Sequence, residues 1–252
     1  MKIDQPKEGQ IPELLQMWKA AFGDHGGFWE MFLDTAFDEA HCRCVTVDGQ
    51  AAAALFWFDC GCGGQKIAYI YAVVTHPGHR NKGLCRALLA DVHKHLSENG
   101  YAAAMLVPEQ EMLRQMYRKL GYRDCTTVSE FSCPAGGTPV PVRAIGPEEY
   151  GHLRREFLPE GGMIQEEKNL DFLAAQARFF TGEGFLLAAY TEEDTLFGME
   201  LLGNRDAAPG ILRALGCAKG NFRVPGKEKA FAMIYPLTED AVFPAYFGFA
   251  FD

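Results

Sequence analysis

The period of apolar and polar positions changes abruptly between Ile67 and Leu96. Residues 67–74, IAYIYAVV, are an unbroken apolar run, the pattern of a strand covered on both faces. The run breaks at Thr75-His76-Pro77 and gives way to HRNKGLC. Beyond it, Leu84, Leu88, Val92 and Leu96 recur at helical spacing, so a strand is predicted to feed an amphipathic helix through a cationic, glycine-bearing loop.

Periodicity places other elements in the first half. Residues 11–22 and 28–37 read as two helices, the first with Leu14, Leu15, Trp18 and Phe22 on one stripe, after a short strand at 1–3. A hairpin is predicted from 42–47 and 51–58, turned at Asp48-Gly49. A strand at 101–107 stops at Pro108, and the next helix has Leu113, Met116, Tyr117 and Leu120 on one face and Gly121 closing it.

Charge gives the loop its chemistry. A helix start carries unsatisfied N–H groups and the positive end of the helix dipole, a ready anion site. Arg80 and Lys82 add charge-assisted donors, Gly83 permits close backbone approach, and Cys85 is small enough to leave the first turn open. The arrangement suits a phosphate.

Two motifs carry a family resemblance. Arg80-Asn81-Lys82-Gly83-Leu84-Cys85 comes after a strand and a proline and resembles the [QR]-x-x-G-x-[GA] pyrophosphate loop of the GNAT superfamily of N-acetyltransferases, departing from it only in Cys85. Downstream, Tyr117-Arg118-Lys119-Leu120-Gly121-Tyr122 resembles that superfamily's closing helix, Y-x-x-x-G-[YF]. The resemblance implies acetyl-CoA as co-substrate and direct acetyl transfer to a primary amine, carried by a small molecule or a peptide. It assigns the pyrophosphate to Arg80, Asn81, Lys82, Gly83, Leu84 and Cys85, and the pantetheine amides to the backbone of Val73, Val74 and Thr75. Tyr117 becomes the proton donor to the departing thiolate, although a tyrosine at helical spacing from Leu113 also suits core packing. Gln110 stands seven residues before Tyr117, where the family often has the Asn that contacts the pantetheine arm. The helices at 11–22 and 28–37 would wall the acceptor site, making Asp24, Glu30 and Asp34 candidate acids there; the general base is unassigned.

The second half repeats the outline of the first without its loop. A strand at 142–145, helices at 147–157 and 169–180, and a hairpin from 185–190 and 196–202 are predicted, and PAYFGFAFD near the end echoes YRKLGYRD. The alternation of 247–251 fits a strand. Arg213-Ala214-Leu215-Gly216-Cys217-Ala218 satisfies the loop pattern literally, but it ends a predicted helix and has no strand before it. Gly216 is therefore expected to be a helix-terminating glycine, not part of a phosphate site.

The fold class expected on this resemblance is α/β (α+β): two GNAT-like domains, each a mixed, mostly antiparallel sheet flanked by helices. Residues 1–133 would be the acetyltransferase domain, 134–142 a Pro/Gly-rich linker, and 143–252 a degenerate second copy that binds no cofactor of its own. The tandem is similar to the paired acetyltransferase module of the enhanced-intracellular-survival family, and too short to hold that family's additional C-terminal domain.

Composition narrows the partners. The 252 residues, 48% hydrophobic, suffice for two modest cores. A formal net charge of −9 excludes the basic face that nucleic acid requires and suits a cationic amine. No apolar run approaches the ~18 residues of a membrane span, and MKIDQPKEGQ lacks a signal segment, so a cytoplasmic protein with eight thiols is expected. Cys42-x-Cys44 and Cys60-x-Cys62 lack the C-x₂₋₄-C spacing of structural zinc sites, so no metal is expected. A reading from another class stays open: a non-catalytic acyl-CoA-binding sensor or scaffold.

Overall fold

A computed structural model describes residues 1–23 and 26–250. Asp24, one of the candidate acceptor-site acids, and the last two residues lie outside the described residues. The chain divides into two compact units, each built on one mixed sheet.

The first unit comprises 1–106, 115–122 and 234–242. Its sheet runs in the order Lys2–Asp4, Cys42–Val47, Gln50–Cys62, Gln65–Thr75, Tyr101–Leu106, and then Met233–Pro236 from late in the chain. Central strands are buried almost residue by residue, as their continuous apolar runs require. The hairpin turns where expected, with Asp48 at φ 51° and Gly49 at φ 87°, both left-handed as a tight two-residue turn demands. Helices Ile11–Phe22 and Phe28–Thr35 bury Leu14, Met17, Trp18, Trp29 and Phe32, whereas Phe22 is 44% exposed. Helix Leu84–Glu98 buries the predicted stripe, Leu84, Leu88, Val92 and Leu96.

The second unit comprises 107–114, 123–233 and 243 onward. Its sheet runs Lys229–Ala230, Thr127–Pro134, Lys219–Pro225, Thr195–Gly203, Phe185–Glu192, Arg178–Gly182, Arg143–Ile145. Helix Ala208–Leu215 covers one face through Ala208, Ile211 and Leu212, packed on Phe185, Leu187, Leu201 and Phe222. Gly216 ends that helix at φ 74°, donating its N–H back to Arg213, so the literal repeat of the loop pattern is a helix terminus.

Three sequence expectations need correction. Residues 127–133, counted with the first domain in the division at 133, lie in the strand Thr127–Pro134, which pairs along its length with Lys219–Pro225 in the second sheet. The helix expected over 169–180 is Lys168–Ala174 only; Arg178–Gly182 is a strand, because its antiparallel pairing with Phe185–Glu192 outweighs the helical spacing. The C-terminal run is not a strand. Tyr246 makes one isolated bridge to Gly162, and 247–250 are irregular though Phe247, Phe249 and Ala250 are fully buried. Their alternation reflects burial without a ladder.

Candidate functional site

The loop is built where strand gives way to helix. Pro77–His79 form one 3₁₀ turn after Thr75, with the His76 ring accepting the Gly78 N–H at 3.2 Å. Asn81 (φ 60°) and Gly83 (φ 77°) are both left-handed, a conformation glycine adopts at no steric cost, and Gly83 is the N-cap of helix Leu84–Glu98. No side chain caps that end, and no acidic residue occupies its first turn. The helical ladder begins with Ala87, whose N–H reaches the Gly83 carbonyl at 3.0 Å, so Leu84, Cys85 and Arg86 are its leading donors.

Both loop cations are exposed and fold back on their own loop. Arg80 Nε donates to the Thr75 carbonyl at 3.3 Å, and Lys82 Nζ to the Gly78 carbonyl at 2.9 Å. Among the described residues neither is paired with a carboxylate. Positive charge therefore gathers at an uncapped helix start, with no ion pair to Arg80 or Lys82 among the described residues.

The strand leading into the loop is irregular at the predicted binding residues. Its parallel ladder with Tyr101–Leu106 ends at the pair Tyr69↔Met105, so 70–75 run on beyond that partner. On the other edge Ala54 faces Val74 and Phe56 faces Tyr71, leaving Ala72 and Val73 both opposite Leu55. This is a β-bulge, and Ala72 sits in it at φ 52°. Val73 and Thr75 are half-buried, and Val74 is buried.

Tyr117 comes from the helix Glu111–Lys119. Its ring is 7% exposed and meets Tyr122 edge-on with centroids 5.5 Å apart. Its hydroxyl has no hydrogen-bond partner among the described residues. Burial pushes its pKa well above the ordinary phenol value, and nearby Cys85 adds a smaller push in the same direction. The Cys85 thiol is itself raised by burial. Tyr117 and Cys85, read from separate motifs, thus lie in one unit within electrostatic reach of each other, and the phenol stays protonated at neutral pH.

Around Tyr122, the last residue of the Tyr117 motif, lie His93 and Tyr235, which no motif marks. The Tyr122 hydroxyl and His93 Nε2 lie 2.8 Å apart, and the His93 ring stacks on Tyr235 at 4.0 Å between centroids. Gly121 has φ 97°, and any Cβ there would come within 2.8 Å of the Tyr235 ring. That position is closed to other residues.

Other candidates fare differently. Gln110 is exposed at the head of helix Glu111–Lys119, accepting the Arg114 N–H on its carbonyl, and belongs to the second unit. Glu30 is exposed and bound by Lys19 at 2.6 Å, which lowers its pKa; Asp34 is exposed. Cys42, Cys44, Cys60 and Cys62 are buried thiols, and no group of three or more His, Cys, Asp or Glu is placed to hold a metal among the described residues. No helix among the described residues is long and apolar enough to cross a membrane.

Residues 2–125 match the acetyltransferase (GNAT) domain family, so the chain carries a GNAT acetyltransferase domain over that stretch. N-acetyltransferase Eis of Mycobacterium tuberculosis is 28% identical over 129 residues, covering 44% of this chain and 31% of the relative. The match thus spans about a third of that protein's length. Among solved structures, a GCN5-related N-acetyltransferase from Anabaena variabilis superposes with TM-score 0.75 at 15% identity, covering 94% of this chain and 73% of that one. A tandem GNAT protein from the clavulanic acid biosynthesis pathway gives 0.57 at 10% identity, over 95% and 100% of the two chains. At such identities these neighbours establish the fold, a tandem of two mixed sheets flanked by helices.

Proposed function

We propose that this acetyltransferase moves an acetyl group from acetyl-CoA directly to a primary amine, using one site in the first unit. One observation carries the reading: the start of helix Leu84–Glu98 is uncapped and flanked by the exposed cations Arg80 and Lys82, in the same unit as the buried phenol of Tyr117.

The residues divide the work. Arg80, Lys82 and the leading amides of Leu84, Cys85 and Arg86 hold the pyrophosphate, with Asn81 and Gly83 giving the backbone its left-handed shape. The backbone of Val73, Val74 and Thr75, running on past the parallel ladder, pairs with the pantetheine amides as an added strand would. Acetyl-CoA supplies the activated thioester. Tyr117, kept protonated by burial, donates from Oη to the departing sulfur.

The second unit supports a single site. It repeats the first to the level of the bulge: Ala188 faces Glu200 and Ala189 faces Gly198, leaving Met199 extra, and the parallel ladder to Lys219–Pro225 ends at Gly198↔Phe222. Past the bulge the two units differ. The loop into helix Ala208–Leu215 carries Asp206, and Pro209 removes an amide from the first turn, both unfavourable to an anion. Beyond the ladder, Arg223 donates to the Gly248 carbonyl at 3.3 Å, so the chain's own C-terminal segment is held there.

A screen of polyamines, aminoglycosides and N-terminal peptides, read as coenzyme A release from acetyl-CoA, tests the reading. Release with at least one amine is expected. Saturable acetyl-CoA binding with no release from any of them would favour a sensor.

A further inference from the structure

The bulge in strand Gln65–Thr75 is clamped from outside the sheet. Extra residues in a bulge lose their ladder partners, and a buried carbonyl left without a donor is costly. The Ala72 carbonyl finds its donor in Trp18 Nε1, at 3.0 Å and fully buried. Trp18 is itself immobilised: Trp29 stacks on it at 5.5 Å with an interplanar angle of 15°, and Phe32 and Phe37 meet it edge-on. Ala72 meanwhile holds a left-handed φ that suits glycine and is strained for alanine, so something must hold it.

The second unit repeats the device in other chemistry. Arg154, at the same place along helix Pro147–Phe157 as Trp18 along Ile11–Phe22, binds Glu200 through Nε at 2.6 Å and Nη2 at 3.0 Å. Glu200 is the residue directly after the extra Met199. In both units the first helix grips the strand at its irregularity.

We infer that Trp18 is a positioning residue for the cofactor: through the Ala72 carbonyl it fixes the peptide plane before Val73, and so aims the backbone groups of Val73 to Thr75 at the pantetheine arm. This rests on the acetyl-CoA reading of the same site. The pyrophosphate is assigned to other residues, Arg80 to Arg86, so the two ends of the cofactor should respond differently to loss of the clamp.

Calorimetric titration of wild type and Trp18→Phe with acetyl-CoA and with adenosine 3′,5′-bisphosphate, which lacks the pantetheine arm, tests it. Phenylalanine keeps an aromatic ring against Trp29 but loses the N–H. Affinity for acetyl-CoA should fall about tenfold while that for adenosine 3′,5′-bisphosphate stays within about twofold. KM for acetyl-CoA should rise with kcat at saturation kept. Ala72→Gly provides a second, milder arm: alone it should change acetyl-CoA affinity little, because Trp18 still holds the carbonyl, but combined with Trp18→Phe it should weaken binding more than additively. Equal losses for both ligands, no loss for either, or strict additivity in the double variant would overturn the clamp. Wild type that binds neither ligand would instead overturn the cofactor reading beneath it.

Discussion

The Tyr122 hydroxyl and His93 Nε2 lie 2.8 Å apart in the interior of the first unit, both residues less than a tenth exposed. Burial lowers the His93 pKa from 6.5 to about 4, so the ring is neutral at neutral pH. As pH falls, the unfolded chain takes up this proton first. The associated stability is therefore fully present above about pH 6.5 and drains away between about 6.5 and 4, by up to about 3 kcal/mol. Urea unfolding across that window should show the decline, and His93→Gln should flatten it. A wild-type profile flat from neutrality to about pH 4.5 would contradict the burial of a neutral ring.

At the loop, Arg80 and Lys82 are exposed and, among the described residues, paired with no carboxylate. Replacing both by Ala should weaken acetyl-CoA binding by about 1.5–3 kcal/mol per lost charge-assisted bond, with the melting temperature nearly unchanged. Raising the salt concentration should weaken wild-type binding more than that of the double variant. Unaltered affinity in the double variant would remove the phosphate role.

The buried pair in the second unit makes a stability prediction. Glu200 is fully buried and accepts from Arg154 and from the Tyr150 hydroxyl, at 2.9 Å, while Arg154 Nη1 donates to the Met163 carbonyl at 2.8 Å. Glu200→Ala would leave the guanidinium charged and uncompensated, at a cost of about 3–5 kcal/mol. Replacing both partners by apolar residues of similar volume should recover much of that loss. Thermal unfolding of the single and double variants decides it, and a single variant within about 1 kcal/mol of wild type would not fit.

Cofactor stoichiometry should reflect the unequal halves. Titration should give one acetyl-CoA per chain, unaffected by Arg213→Ala, because Arg213 sits in the last turn of its helix. Two equivalent sites would mean that the second unit is not degenerate.

Much of this site is local in sequence, and that part was legible. The break after Val74, the cationic loop and the stripe from Leu84 to Leu96 are consecutive, so periodicity alone placed the helix start, and the same logic placed Gly216 at a helix end. The bulge was not legible. YIYAVV reads as uninterrupted strand, and the donor that makes the irregularity tolerable, Trp18, lies 54 residues away in a helix whose stripe looked merely apolar. His93 gave no signal either, since a histidine on an amphipathic helix reads as surface until Tyr122 and Tyr235 are seen to enclose it. The partition of strands between sheets was hidden for a related reason. Thr127–Pro134 finds its partner in Lys219–Pro225, and Met233–Pro236 joins the first sheet, pairings that span about a hundred residues and leave no local trace.

In the proposed mechanism the loop at Arg80 to Cys85 and the phenol of Tyr117 serve one acetyl transfer. The decisive variant is Tyr117→Phe, because the ring stays and only the hydroxyl goes. Its steady-state kinetics with an accepted amine should be measured alongside acetyl-CoA titration of the same protein. A fall in kcat of about 10²-fold or more, with acetyl-CoA affinity unchanged and no upward shift of KM, is the expected result. Turnover at the wild-type level, with only the melting temperature lowered, would reduce Tyr117 to core packing and refute the shared role of loop and phenol.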